Sequence, residues 1–314
     1  MKKKAIIISI KGFDLTIKEK NLIKKEKPWG LILFKRNIKS LSQIIELIKD
    51  IRKSSGDPKF PIMIDEEGGS VTRLSKIINH KLNQKLFGNI YRYNPEISEN
   101  IYKHYINNLT NILNKVGINI NTVPVLDVTR DTTNKIIGNR SFSNDTKIVK
   151  KLGQICVKQY QLNKIGTVIK HIPGHGCTSS DSHLKMPKVD LKFNELNKVD
   201  FNPFKKNYSH FAMTAHILYS NLDNINVATF SKKIISQIIR KKIGFKGILI
   251  SDDISMKALK YDLITNAKRS LTAGCNLVLY CAGNFKDCNK LIKKLPFIDK
   301  FTAKKTSEFY NFLR

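Results

Sequence analysis

The sequence predicts a single (β/α)8 barrel, a TIM barrel, spanning residues 1–314. Three observations carry this expectation. Short apolar runs rich in Ile and Val alternate with amphipathic segments, the pattern of a parallel sheet covered on both faces. There are eight such runs, most followed by a helical segment, in a chain of suitable length for eight β/α units. Polar and charged residues recur at the C-terminal ends of the runs, where a barrel assembles its active site. A doubly wound sheet is the competing arrangement. Its first turn would carry a nucleotide-binding loop, and SIKGFDLT is neither G-x-G-x-x-G nor a P-loop. No Pro/Gly/Ser-rich linker and no repeat of roughly 20–50 residues divides the chain.

In order, AIIISI (5–10) reads as the first strand and 16–26 as a helix. GLILF (30–34) is a strand, and 41–53 a helix with Leu41, Ile44, Ile45 and Ile48 on one face. FPIMID (60–65) follows as a strand, then a long helix over 96–116 and the strand INTVPV (120–125). A helix over 145–164 leads to GTVIKH (166–171). HFAMTAHI (210–217) precedes a helix over 231–242, and KGILISDD (246–253) precedes a helix over 264–273 that opens after Thr265. NLVLY (276–280) is the last strand, with helical patterns from there to the C-terminus.

Composition narrows the function classes. Hydrophobic residues make up 41% of the 314, enough for a sizeable core. The charge is 56 − 25 = +31, but the lysines are spread throughout, in pairs such as Lys24–Lys25 and Lys241–Lys242, alongside heavy use of Ile and Asn. No arginine-rich segment and no alternation of basic and aromatic residues marks a nucleic-acid face, so no nucleic-acid partner is expected. The five cysteines are odd in number and form no C-x-x-C pair, which disfavours a disulfide framework or a zinc ribbon and suits a reducing compartment. AIIISI is six residues long, shorter than the roughly 7–15 residues of a signal-peptide core. No apolar run reaches the roughly 18 residues of a membrane span. A cytoplasmic monomer with no membrane partner is the expectation.

Asp65, Asp127, Lys170, His171, His216, Asp252 and Asp253 fall at or just beyond strand ends. Each alone is explicable as a solvated charge or a helix cap; together they form one rim. Arg73 lies eight residues after Asp65, across EEGGSVT, whose Gly68 and Gly69 permit close backbone approach to a ligand. Arg140 sits in GNRSFS, in the long loop after the fourth strand. The densest segment is KHIPGHGCTSSDSH, 170–183. As a metal site it is poor: Pro173 and Gly174 interrupt the first histidine pair, and no H-E-x-x-H is present, so no metal is expected. As an acid–base device it is better. Asp181 and His183, one residue apart, can share a face, and the carboxylate would then hold the imidazole's tautomer and raise its proton affinity. Asp252 is placed to attack a carbon centre as a nucleophile, while Asp253 diverges to position the following loop.

KHIPGHG…DSH, ILISDDISMKA, MIDEEGGSVTRL, LILFKRNI and GNRSFS, spread from about Leu31 to Ala258 and occurring along the chain in the family's order, together resemble the bacterial β-N-acetylhexosaminidases of glycoside hydrolase family 3. More narrowly, they are similar to the single-domain cytoplasmic enzymes of cell-wall recycling. The resemblance implies a (β/α)8 barrel and a retaining mechanism through a covalent glycosyl-enzyme. It implies Asp252 as nucleophile, His183 as general acid/base and Asp181 as its dyad partner, in place of the usual second carboxylate. Asp65, Arg73, Arg140, Lys170 and His171 match positions that bind the N-acetylglucosamine unit, with His175 and His216 as rim supports. The implied substrate is a β-linked N-acetylglucosamine at a non-reducing end, on an anhydro-N-acetylmuramic acid with or without its peptide. No metal or organic cofactor is implied. Glu66 stands where glutamine is frequent and Ser70 where arginine is, departures that bear on aglycone preference. Phosphate in place of water as acceptor is an alternative, because a neutral histidine repels an anion less than a carboxylate does.

Overall fold

The computed structural model describes residues 2–134, 137–178 and 186–314. Eight parallel strands close into a barrel in the order β1-β10-β9-β7-β5-β4-β3-β2. They are β1 (Lys4–Ile8), β2 (Pro28–Leu33), β3 (Ile62–Ile64), β4 (Ile120–Asn121), β5 (Gly166–Ile172), β7 (Phe211–Thr214), β9 (Ile248–Asp253) and β10 (Leu277–Leu279). All eight expected runs are barrel strands. Two further short strands, β6 (Lys188–Val189) and β8 (Leu218–Tyr219), pair with each other outside the barrel and were not anticipated.

Alternation along each strand divides the core in two. One set, including Ile7, Ile32, Met63, Val168, Phe211 and Ile250, fills the barrel interior. The other, including Ile6, Ile8, Leu31, Ile62 and Ile169, meets the helices. The lower end is closed by a C-terminal helix, α9 (Lys300–Phe312): Trp29 Nε1 donates to Thr306 Oγ1 at 2.9 Å, and Phe309 meets Phe211 edge-on at 5.0 Å. The fourth strand is shorter than INTVPV suggests because Pro124 has no N–H for a ladder. The chain still runs beside β5, with Val123 O and Pro124 O accepting from Val168 N and Lys170 N.

The helices start and stop where their caps dictate. Thr16 and Glu19 form a capping box at α1 (Ile17–Glu26). Ser40 opens α2 (Leu41–Ser55), and Gly56, left-handed at φ 65°, ends it. Pro95 begins α4 (Pro95–Val116), and Asp145 caps α5 (Thr146–Leu162). The α7 helix (Leu263–Ala273) starts earlier than expected because Asp262, not Thr265, is its cap, accepting from Ile264 N and Thr265 N. The segment expected as a helix over 231–242 is a π-helix, Ile234–Ile243. Two helices were not expected: α3 (Gln84–Tyr93) and the short α6 (Phe193–Lys198). A further helix, α8 (Phe285–Lys294), follows β10. Among the described residues no helix is long and apolar enough to cross a membrane, and the five cysteines are unpaired in disulfide terms.

Candidate active site

The C-terminal ends of the barrel strands surround a cavity of about 380 Å3. Its lining includes Asp65, Arg73, Arg140, Lys170, His171 and Asp252, so all the described residues expected to hold sugar, and the expected nucleophile, converge on one space.

The first wall is built by the segment after β3. Asn121 of β4 brackets the backbone of Glu66, accepting from its N–H at 2.9 Å and donating to its carbonyl at 2.8 Å. The buried Glu66 carboxylate then ties the following loop back on itself. It accepts from Thr72 Oγ1 (2.6 Å), Arg73 N (2.6 Å) and Leu74 N (2.8 Å). The fold-back needs left-handed backbone at Gly68 (φ 88°), where a Cβ would sit 2.5 Å from Leu82 O. As a result Arg73 returns to Asp65, Nη2 to Oδ2 at 3.3 Å. Burial alone would raise the Asp65 carboxyl, but the Lys170 and Arg73 charges and the Thr122 hydroxyl hold it far below the usual carboxylate range.

The end of β5 supplies the second wall. Lys170 Nζ, with a side chain 3% exposed, donates to Thr122 Oγ1 (2.8 Å), Asp65 Oδ1 (3.2 Å) and Glu67 Oε1 (2.6 Å). Glu67 also accepts from Arg140 Nε at 2.7 Å and Nη2 at 3.0 Å. Burial opposes its ionisation, yet Arg140 and Lys170 together bring its carboxyl down to about 2. Glu67 was not singled out in the sequence. The available signal was its place two residues beyond Asp65, on the same side of an extended chain.

His171 turns on Asp127, which lies just past β4 and is fully buried. Asp127 accepts from His171 Nδ1 at 2.7 Å, from His171 N at 3.2 Å and from His175 N at 2.7 Å. This leaves His171 Nε2 on the Arg140 side, 3.5 Å from Nη2. Burial pushes the Asp127 carboxyl up, but His171 and His175 together bring it below its usual range. Burial instead drops the His175 imidazole to about 4, so that ring is neutral at physiological pH. The segment leading on from here is pinned at each step: Tyr219 Oη donates to Gly174 O (2.5 Å), Thr133 Oγ1 to Gly176 O (2.5 Å) and Asn134 N to Thr178 O (2.8 Å). Asp181 and His183 lie outside the described residues.

The third wall is the end of β9. Asp252 faces the cavity, and its Oδ1 accepts from Asp253 N at 2.7 Å. Asp253 turns to the adjacent loops instead, accepting from Ser255 N and Oγ (3.1 and 2.7 Å) and from Cys281 N (3.3 Å). Burial raises its carboxyl. His216 sits behind this strand end, Nε2 donating to Asp253 O at 3.0 Å, and burial lowers its pKa so that it is a neutral prop. Met213 and Leu279 give the cavity an apolar base. Among the described residues no group of three or more His, Cys, Asp or Glu is arranged to hold a metal ion.

Chemically, the cavity offers closely spaced acceptors and donors that carry opposite charges, suited to the many hydroxyls of a sugar, and the Asp252 carboxylate opens onto the same space from the end of β9. Comparison with known proteins agrees. The model of the glycosyl hydrolase family 3 N-terminal domain matches residues 4–303. A β-hexosaminidase of Nitrosomonas eutropha is 31% identical over 281 residues, 88% of this chain and 80% of that one. One from Idiomarina loihiensis is 31% identical over 310 residues, 96% of this chain and 91% of that one. The structure of NagZ from Neisseria gonorrhoeae in complex with N-trifluoroacetyl-D-glucosamine superposes with a TM-score of 0.88 at 28% identity, covering 100% of this chain and 91% of that one. The chain therefore belongs to glycosyl hydrolase family 3, in its β-N-acetylhexosaminidase branch.

Proposed function

We propose that this enzyme is a retaining β-N-acetylhexosaminidase that releases non-reducing-end N-acetylglucosamine from peptidoglycan (muropeptide) fragments during cell-wall recycling in the cytoplasm. The observation that carries it is the opening of Asp252 into the same cavity as the Asp65–Arg73 and Glu67–Arg140–Lys170 pairs. A sugar held on those groups presents its anomeric carbon towards the strand-nine carboxylate. Asp252 attacks that carbon, the bond to the leaving oxygen breaks, and His183 gives that oxygen its proton while Asp181 steadies the imidazolium. In the second step His183 takes a proton from water, the water oxygen bonds to the anomeric carbon, and Asp252 leaves as a carboxylate. Binding falls to Asp65, Arg73, Arg140, Lys170 and His171, with Asp127 fixing the His171 ring. The reaction uses no metal and no organic cofactor, and residues 1–314 act as one catalytic unit and a monomer, with no membrane or nucleic-acid partner.

Two inversions at one carbon leave the configuration unchanged. Proton NMR of the first product formed from a β-N-acetylglucosaminide is expected to show β-N-acetylglucosamine before mutarotation. An α-product formed first would rule out the Asp252 glycosyl-enzyme. The muropeptide is tested separately: incubation with an N-acetylglucosaminyl-anhydro-N-acetylmuramyl peptide should release the monosaccharide, and a chain active on nitrophenyl substrates alone would remove the recycling role.

A further inference from the structure

Among the described residues, the cavity is lined by three carboxylates, Asp65, Glu67 and Asp252, and three cations, Arg73, Arg140 and Lys170. Such a balance does not follow from composition, because the chain carries +31. Glu67 is central to it. Its side chain is 1% exposed and bonds two cations at once, Arg140 through two nitrogens and Lys170 through its ammonium. Arg140 comes from the loop after β4 and Lys170 from the end of β5, so the carboxylate joins two separate elements across 73 residues on one side. A sugar carries no charge. A pocket for it needs its donors aligned and their charge cancelled, otherwise an anion competes for the same nitrogens.

We propose that Glu67 is a positioning residue of the sugar site, aligning Arg140 and Lys170 and cancelling their charge so that the pocket selects a neutral sugar over an anion. The proposal rests on the sugar-binding reading of the cavity given above. Removing the carboxylate turns the pocket cationic and leaves a hole the size of a small carboxylate beside two buried cations.

The test is chemical rescue. In Glu67→Ala, kcat/KM on nitrophenyl N-acetyl-β-glucosaminide is expected to fall about 100-fold, within the range for removing one partner of a buried hydrogen-bonded charge pair at a binding site, mostly through KM. Millimolar formate should restore at least about tenfold by refilling the carboxylate position. Formate should also raise the melting temperature of Glu67→Ala and leave the wild type unchanged. Glu67→Gln keeps the volume, so formate should not rescue it, but acetate and phosphate should inhibit it more strongly than they inhibit the wild type. A Glu67→Ala enzyme with wild-type KM, or one indifferent to formate in both turnover and melting, overturns the proposal. If Glu67→Ala does not fold, Glu67→Gln decides: unchanged KM and unchanged anion inhibition reject the role. A wild-type protein that cleaves no N-acetylglucosaminide would instead remove the functional reading, while the formate-dependent melting of Glu67→Ala still tests the charge balance.

Discussion

At the residue scale, the cavity depends on side chains that hold other side chains. Asp127 fixes the His171 ring with three hydrogen bonds from two residues. In Asp127→Asn, one of the acceptors facing those donors becomes an NH2, and the His171 Nδ1–H or a backbone N–H loses its partner. The loss of a buried charge-assisted bond is about 1.5–3 kcal/mol, so kcat/KM on nitrophenyl N-acetyl-β-glucosaminide should drop roughly 10- to 100-fold. Steady-state kinetics beside a melting curve checks this, and unchanged kinetics would mean that His171 needs no orienting partner. His183 calls for a different readout. His183→Ala should lose far more rate on substrates with poor leaving groups than on nitrophenyl ones, because only a poor leaving group needs its oxygen protonated. Uniform loss across leaving groups would contradict an acid role. The rim residues were legible in the sequence because each follows an apolar run that can only be a buried strand. Glu67 was less so: only its two-residue offset from Asp65 separates it from Glu66, which ties up its own loop, and that offset does not show that it reaches across to Arg140.

At the scale of elements, the least legible part is the long passage between β3 and α4. The α3 helix hides there, amphipathic but only ten residues long. It carries the support for Arg140. Gln84 Nε2 donates to Arg140 O at 2.5 Å and to Val125 O at 3.0 Å, and Gln84 Oε1 accepts from Val125 N at 3.1 Å. Gly88 lets the helix lie directly on the chain beyond Arg140, since a Cβ there would sit 1.8 Å from Phe142 O. Gly88→Ala must push the helix away, an overpacking cost of about 1–3 kcal/mol. Its urea midpoint should fall and its KM for N-acetylglucosaminides should rise as Arg140 shifts. Wild-type values of both would show that α3 does not support the site. The π-helix and the β6–β8 pair were similarly hidden. A π-helix shares the apolar spacing of an α-helix over so short a length, and two-residue strands are set by tertiary contacts alone.

At the scale of the whole molecule, buried neutral histidines couple stability to pH. Burial drops both His175 and His210 from an ordinary 6.5 to about 4. Above pH 6.5 neither state is protonated at these rings and the penalty is nil. As pH falls from there towards 4 the unfolded chain takes up protons that the folded chain refuses, so stability declines by about 1.4 kcal/mol per pH unit for a fully buried ring. Glu67 adds a further loss only below its ordinary 4.5, down to about 2. His210 lies at the lower end of the barrel, far along the strands from the site, against Phe309 and Phe312. Its Nδ1 has no partner among the described residues, so His210→Phe gives up no bond there. Urea unfolding at pH 7 and pH 5 should show the variant losing about 1–2 kcal/mol less than the wild type on acidification. Equal losses would place the acid sensitivity elsewhere. The barrel that joins this lower end to the upper rim was the most legible feature of all, because eight Ile- and Val-rich runs admit few other closures. The chemistry proposed for it turns on one carboxylate, Asp252, and one substituent on the sugar. The most direct measurement is hydrolysis of nitrophenyl N-acetyl-β-glucosaminide against the matching β-glucoside, by the wild type and by Asp252→Ala. Cleavage of the first substrate, little of the second, and loss of activity in the variant by a factor of at least about 1,000 are expected. Equal rates on the two sugars, or activity that survives in Asp252→Ala, would contradict the assignment.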